Sequence, residues 1–382
     1  MRFLSNVSLV VGFVVVWPTF ATAQSNGGKT DLSDNAALQY WQAFSQMPPL
    51  DEEQAKLVAE WQTVSLDDPA VQKILDQSHK SMLYLRRAAR CGQCDWGLEY
   101  NDGIGLLLPH LTKSRDLARL AALYTRNEYE RGNRKALPAN AAAMMALARH
   151  VGRDPFMISL LVRYGIEGFV VDLVAPHVPD IKVPYAKAVG IFESLPPAPD
   201  LRQSIAAEKK VFLGWMLKKL REEEARKPGG GLVLWKNFLG ADAPDELKQI
   251  ESFEQIMNMT EQLGPMYDEL ERLVALPAPQ FDAQYPKFKE RITASQPLGK
   301  MYLPAVDGIL GKERRNQVRM AMLLAAIAVS TSGPEKLKDI KDPFGDGPFE
   351  YRSLGGGGFE LHSNLDFEGK PVTLAVGRQP TK

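Results

Sequence analysis

The chain has 382 residues, 45% of them hydrophobic, and its 46 Lys and Arg residues are balanced by 46 Asp and Glu residues. This hydrophobic fraction is sufficient for a core that needs no disulfide staples. The balanced charge provides no long-range field to attract nucleic acid or anionic lipid, so the composition does not support a nucleic-acid-binding function.

Residues 1–23 have the pattern of a signal peptide. Arg2 is followed by an apolar run at 9–17, and Ala21 and Ala23 give the small-x-small pattern that signal peptidase recognises. The apolar run is shorter than the roughly 20 residues needed to span a bilayer. We therefore predict cleavage before Gln24, export to the periplasm or the cell surface, and no transmembrane span in the mature chain. A retained membrane anchor is the alternative.

The predicted helical region follows this segment. Apolar side chains recur at i, i+3, i+4 and i+7, which is the period of an amphipathic helix. The first such stripe consists of Ala37, Tyr40, Trp41 and Phe44. Asp68-Pro69 combines a capping carboxylate with a proline at the first helical position, so it predicts a helix start. Asp154-Pro155 predicts a second start of the same kind.

Cys91 and Cys94 are the only cysteines, and two residues separate them. This spacing permits a small disulfide ring or, at a helix start, a redox-active pair with a lowered thiol pKa. No βαβ pattern surrounds residues 91–94, and Asp95 stands where haem attachment would need His. We predict a structural disulfide, which is common in exported proteins. A redox pair and free or metal-bound thiols are the alternatives.

The next segment, 95–102, mixes aromatic and acidic side chains in a predicted loop. Its candidate pocket residues are Asp95, Trp96, Glu99 and Asp102. Paired carboxylates around aromatic rings suit the binding and hydrolysis of sugars. The same segment also suits the cap of the following helix, with Trp96 in the core, and we favour this structural interpretation.

Residues 115–152 have the pattern of a helical hairpin, with stop signals at Gly132 and Gly152. Two such helices bury their apolar stripes against each other. No copy of this unit recurs at a fixed spacing. The pattern therefore predicts irregular hairpins rather than a regular repeat protein.

Proline clusters and a change in texture divide the mature chain into three predicted regions. Prolines concentrated between residues 176 and 199 mark a boundary, which separates a helical region at 24–180 from a second one at 181–333. The third region, 334–382, is predicted to be a small β-rich module.

The C-terminal module shows alternating side chains instead of helical periodicity. Alternation occurs at 349–352, 359–362 and 371–376, and four glycines at 355–358 indicate a turn. A lone hairpin is only marginally stable in water, so it should pack on the preceding helix. The predicted fold is mainly α, with irregular antiparallel helical hairpins and a small C-terminal antiparallel β hairpin or meander.

Two resemblances follow from short motifs. DPFGDGPFEY at 342–351, followed by GFELHS at 358–363, resembles the C-terminal module of type II secretion pseudopilins, in which such a segment leads into a short hairpin. The chain is also similar to exported bacterial proteins in which that tail follows a helical region. The motifs that carry this wider likeness are NAALQYWQAF at 35–44, CDWG at 94–97 and ARHVGRDP at 148–155. The cleavable signal departs from the pseudopilin pattern, which retains its N-terminal helix, and argues against a pilin.

No short motif for catalysis or metal binding is present. The five histidines lack the spacing of a zinc-binding helix, and neither a Gly-x-Ser-x-Gly elbow nor a phosphate-binding glycine loop occurs. The sequence therefore assigns no catalytic residue, no metal ligand and no cofactor. We expect an exported interaction or scaffold protein of the bacterial cell envelope, with an envelope protein as its partner.

The alternative function is an extracytoplasmic enzyme. It would be a hydrolase that uses the carboxylates near Trp96, or a thiol–disulfide oxidoreductase that uses Cys91 and Cys94. A deep cleft with convergent carboxylates or histidines would favour the enzyme. A shallow apolar groove along the hairpins would favour the scaffold.

Overall fold

The computed structural model describes residues 34–154, 156–181, 183–197, 200–239, 243–295 and 297–377. The predicted signal peptide lies outside these described residues. Within them the chain forms sixteen α-helices and a three-stranded antiparallel sheet, so the predicted mainly α fold with a C-terminal β meander is confirmed. No helix of the described part combines the length and the apolar character needed to cross a bilayer.

The helices of the first half are α1 (Ala36–Ser45), α2 (Glu52–Ala59), α3 (Pro69–Gln77), α4 (His79–Ala88), α5 (Pro109–Glu130), α6 (Ala136–Val151) and α7 (Met157–Val174). Those of the second half are α8 (Tyr185–Glu193), α9 (Leu201–Glu208), α10 (Gly214–Arg226), α11 (Gly230–Leu239), α12 (Asp245–Lys248), α13 (Phe253–Glu261), α14 (Leu263–Val274), α15 (Ala278–Ser295) and α16 (Pro297–Ser332). Short 3₁₀ segments occupy Tyr100–Gly105, Ala175–Asp180 and Pro334–Asp339, and Lys209–Leu213 is a π-helical turn. The strands are β1 (Glu350–Gly355), β2 (Gly358–Phe367) and β3 (Lys370–Val376).

The predicted helix signals are confirmed at two places. The Asp68 carboxylate accepts a hydrogen bond from the Ala70 backbone N–H at 2.7 Å, and Pro69 occupies the first turn of α3. The predicted hairpin consists of α5 packed against α6. Gly132 ends α5 with a φ of +91°, a conformation that glycine adopts without the steric penalty of a Cβ atom.

The predicted helix start at Asp154 is wrong. Helix α7 begins at Met157, and the Glu208 carboxylate accepts the hydrogen bond from the Met157 N–H at 2.8 Å. Asp154 itself is buried and bonds His110. The Asp154 carboxylate therefore bonds a residue distant in sequence, His110, instead of capping α7.

Helix α16 connects the parts of the core. Its first half packs with α9, α14 and α15 through residues such as Val306 and Ile309. Its second half, from Val318 to Val329, packs against α7, α8 and the inner face of the sheet. The apolar run at 320–329 lies in the C-terminal half of this 36-residue element.

The sheet has the order β1-β2-β3, so β1 and β3 are its edges. Gly355 pairs with Gly358, and the two glycines between them have positive φ, which a tight hairpin turn requires. Leu361, Val372 and Leu374 point inward and are buried against α16, as expected for a hairpin too small to be stable alone.

Asp342 fixes the DPFGDGPFEY segment to the sheet. Its carboxylate is buried and accepts hydrogen bonds from the Phe344 N–H at 3.0 Å and from the Ser363 hydroxyl and the Asn364 N–H, both at 2.8 Å. The segment before β1 is thereby fixed to the middle of β2. A buried carboxylate with three donors is satisfied without a cation.

Asp34–Lys382 forms one compact unit. Helix α16, from the second predicted region, packs on α7 of the first and on the sheet of the third. The division at 180 and 333 stays a prediction.

Candidate functional site

The loop that contains both cysteines is strapped to the start of α1. Cys91 follows the C-terminus of α4, and the Gly92 N–H donates a hydrogen bond to the Asp34 carboxylate at 2.8 Å. The Asn35 side chain accepts from the Asp95 N–H at 2.9 Å. These bonds hold the loop in a fixed position between two helix ends.

The environment of the two thiols raises their pKa values. Burial is the largest cause at both positions, and a nearby carboxylate adds to it, Asp34 at Cys91 and Asp154 at Cys94. Cys91 also lies at the negative end of the α4 dipole, which disfavours a thiolate. This is the opposite of the environment that activates a redox cysteine. The two sulfur atoms are not bonded in this structure, and the predicted disulfide stays a prediction.

Trp96 lies inside the protein, with 6% of its surface exposed. Its ring stacks on the His110 ring at a centroid distance of 4.5 Å and on the Tyr40 ring at 5.5 Å. We call the group around it the Trp96 cluster, which consists of Tyr40, Trp96, His110, His150 and Asp154. The chemistry of this cluster depends on its access to solvent.

The polar groups of the Trp96 cluster face one another. The His110 Nε2 atom lies 2.5 Å from an Asp154 carboxylate oxygen, and the Tyr40 hydroxyl lies 2.9 Å from His150 Nδ1. Burial raises the pKa of the Asp154 carboxyl. Burial, with the positive charge of Arg153, lowers the pKa of His150 to about 4. Both histidines are completely buried, so no substrate reaches their ring nitrogens in this conformation.

The acidic candidates beside Trp96 point to solvent. Asp95, Glu99 and Asp102 are exposed, and one Asp95 oxygen accepts a hydrogen bond from the Gly97 N–H at 2.9 Å. The covered Trp96 ring offers no free face for a sugar next to them. The structure therefore brings the candidate tryptophan together with His110 and His150, two histidines that no local sequence motif marks, and leaves the three carboxylates outside.

An open groove lies elsewhere, between α7 and α16. Gly165 and Gly168 form part of its floor on α7, and Lys312, Arg315 and Arg319 form its wall on α16. The space between these helices is about 320 Å³. Because the two glycines have no side chains, the surface of α7 forms a depression at this point.

The groove continues along α16 toward the sheet. A space of about 340 Å³ is bounded by Arg315, Arg319 and residues 370–373. A further space of about 540 Å³ is bounded by Arg319, residues 373–375 and Arg126. Because these spaces share residues, we treat them as one feature, the α16 groove, lined by Gly168, Asp172, Lys312, Arg315, Arg319 and Thr373.

The cations of the α16 groove are only partly neutralised. Arg319 forms an ion pair with Asp172. Arg315 lies over the Phe367 ring at 5.1 Å, and neither it nor Lys312 forms an ion pair with any described residue. The exposed charge on the α16 wall is therefore positive.

A carboxylate beneath this wall does not offset its charge. Glu167 is 1% exposed and lies 3.0 Å from the Arg163 guanidinium and 3.1 Å from that of Arg149. The Asn316 side chain donates to its other oxygen at 2.5 Å. This buried charge is fully compensated within the core, as buried charges require.

The groove also exposes the edge of strand β3. A groove on one face of the sheet would be lined by every second residue of β3, because side chains alternate between the two faces. Consecutive residues, 370–375, line this groove. The backbone edge of β3 therefore faces the groove. Past the strand end, the Gly377 N–H donates a hydrogen bond to the Ala175 carbonyl at 3.1 Å, which fixes the edge against the 3₁₀ segment Ala175–Asp180.

Comparisons with family models, with curated proteins and with solved structures gave no match for this chain. The resemblance to the pseudopilin C-terminal module stays a prediction.

Proposed function

We propose that this protein is an exported scaffold or assembly component of the bacterial cell envelope, which binds another polypeptide at the α16 groove. The observation that carries the proposal is the contrast in access between the two polar regions. The exposed groove has an open strand edge and cations that form no ion pair with any described residue, both of which are suited to a partner. Its wall on α16 carries charged side chains, whereas the groove expected of a scaffold is shallow and apolar.

An extracytoplasmic enzyme is the weaker alternative. A hydrolase would need carboxylates that converge on a substrate, whereas Asp95, Glu99 and Asp102 point to solvent. A thiol–disulfide oxidoreductase would need a stabilised thiolate, whereas the pKa values of Cys91 and Cys94 are raised. These observations support the binding function over either chemistry.

The proposal includes export and a Cys91–Cys94 disulfide. The strapped loop keeps the two cysteines near each other, as a disulfide between them requires. The two thiols would lose two protons and two electrons to a disulfide oxidant of the extracytoplasmic compartment. The mass of the mature protein from an extracytoplasmic fraction tests both points, since export predicts an N-terminus at Gln24.

Site-specific photo-crosslinking tests the binding function. A benzophenone amino acid replaces Thr373 in the groove, and the matched control carries it at Lys80, an exposed residue of α4. We expect one discrete protein adduct in intact cells from position 373 and none from position 80. Adducts at both positions, or at neither, would contradict a partner site in the groove.

A further inference from the structure

We propose that the α16 groove accepts an extended acidic segment of the partner, which pairs with β3 as a fourth strand while its carboxylates meet the cations of α16. This inference rests on the proposed binding function and adds the chemistry of the partner to it. Strand addition is a known mode of peptide recognition, in which backbone hydrogen bonds give affinity and side-chain contacts give specificity.

The open edge of β3 supplies the backbone part of this interaction. Within the described part of the chain, β3 pairs with β2 on one side only, because the sheet order ends at β3. An edge strand presents a row of N–H and C=O groups that a further strand can satisfy. The 3₁₀ segment Ala175–Asp180 packs beside β3 and accepts the Gly377 N–H, and the groove lies between this segment and residues 373–375.

The sequence of β3 defines the part of the edge that is available. Lys370 and Pro371 have the character of residues that protect edges, since proline has no N–H and lysine opposes stacking of like strands. Both lie at the start of the strand, so residues 372–376 keep those N–H and C=O groups that face away from β2. Thr373 and Ala375 are exposed and small, and they leave room for the side chains of a neighbouring strand.

The charge of the groove specifies an acidic partner. Lys312 and Arg315 are exposed without an ion pair among the described residues, and Lys370 is exposed at the start of β3. The carboxylates around the groove are Glu130, Asp172 and Glu368. Asp172 is paired with Arg319 and does not neutralise Lys312 or Arg315, so the wall opposite β3 keeps positive charges that a partner's carboxylates can meet. Alternate residues of a bound strand would point toward this wall, which favours acidic residues at every second position.

Peptide binding to the purified mature chain tests the inference. The probes are fluorescent nine-residue peptides that alternate Glu with Thr or Lys with Thr. We expect the Glu peptide to bind at least tenfold more tightly than the Lys peptide, with an affinity that falls as salt is added. Arg315→Glu should weaken Glu-peptide binding at least tenfold, whereas Lys80→Glu, with the same charge change on α4, should alter it less than twofold.

Backbone methylation separates strand pairing from simple charge attraction. Two variants of the Glu peptide are compared. One carries N-methyl groups at its odd-numbered residues, and the other carries them at its even-numbered residues. Strand addition predicts that one set abolishes binding and the other leaves it within threefold, because only one edge of the peptide faces β3. Equal effects of the two sets, or displacement of the peptide by inorganic phosphate at millimolar concentration, would overturn strand addition in favour of an anion site.

The two levels of the proposal fail differently. If position 373 crosslinks to a partner but neither peptide binds, the acidic strand is refuted and the binding function stands. If position 373 gives no adduct and neither peptide binds, both are refuted. Selective binding of the Lys peptide refutes the acidic partner alone.

Discussion

The Trp96 cluster and the α16 groove use charged and polar side chains in opposite ways. In the cluster, Asp154 meets His110 and the Tyr40 hydroxyl meets His150, all away from solvent. In the groove, Arg315 and Lys312 are exposed and without carboxylate partners among the described residues. Paired polar groups in the core help to specify the fold, whereas exposed ones without partners are available to another molecule. The following predictions test whether this division holds.

The largest expected effect is on stability at Trp96. Trp96→Ala removes a ring that stacks on His110 and Tyr40, so we expect the free energy of unfolding to fall by about 3–5 kcal/mol. The control is Tyr100→Ala, which removes an exposed aromatic ring from the same loop and should cost less than about 1 kcal/mol. Urea unfolding measures both variants. Equal, small losses would show that the ring is not part of the core.

The second effect is acid sensitivity that depends on His150. Its folded pKa of about 4 lies below the ordinary value of 6.5, so between these pH values the unfolded state binds more protons. Its stabilising contribution is present above pH 6.5 and is lost as the pH falls toward 4, by about 3 kcal/mol in total. The raised pKa of Asp154 acts in the opposite direction and is common to both proteins compared.

His150→Gln isolates the contribution of His150 to the acid sensitivity, because glutamine keeps a hydrogen-bonding group near Tyr40 and does not titrate. Urea unfolding of both proteins from pH 7 to pH 4 should show a smaller acid loss in the variant. The same slope in both proteins would mean that His150 is protonated in the folded state.

The third effect concerns the cysteine pair. If the disulfide forms, replacing both Cys91 and Cys94 with Ser should lower the free energy of unfolding by about 2 kcal/mol, as expected for closure of so small a loop. Crosslinking from position 373 should be unchanged. Alkylation of both thiols in unreduced mature protein would refute the disulfide, and loss of crosslinking from a folded variant would revive the redox alternative.

The smallest effect on stability is expected in the groove. Arg315→Glu replaces an exposed side chain whose one described partner is the Phe367 ring, so the free energy of unfolding should change by less than about 1 kcal/mol. Partner crosslinking from position 373 should nevertheless fall at least tenfold. A variant that unfolds readily would place Arg315 among the structural residues and weaken the comparison.

The sequence predicts the fold well because its signals are local. Helical stripes, the Asp68-Pro69 start and the glycine turn at 355–358 each depend on residues close together in the chain. The prediction at Asp154 fails because its partner, His110, lies in α5, 44 positions earlier in the chain. A local pattern cannot show whether a carboxylate caps the next helix or bonds a residue that is distant in sequence.

The groove could not be predicted for a related reason. Its floor on α7 and its wall on α16 are far apart in the chain, and the Arg319–Asp172 pair joins residues 147 positions apart. Trp96 was selected by composition, but its position between two rings depends on α1 and α5. No periodicity in the sequence indicates which charged helix faces meet and which remain open.

The length of α16 has a consequence for the dynamics of the molecule. At 1.5 Å per residue, its 36 residues extend over about 54 Å, with one end in the α14–α15 core and the other under the sheet. Because one continuous helix packs in both parts of the core, local opening at one end of α16 would disturb the packing at its other end. Amide hydrogens in its buried half should therefore exchange with solvent only on global unfolding. A partner bound midway along it would slow exchange at both ends together, as mass action requires of a ligand that binds only the folded state.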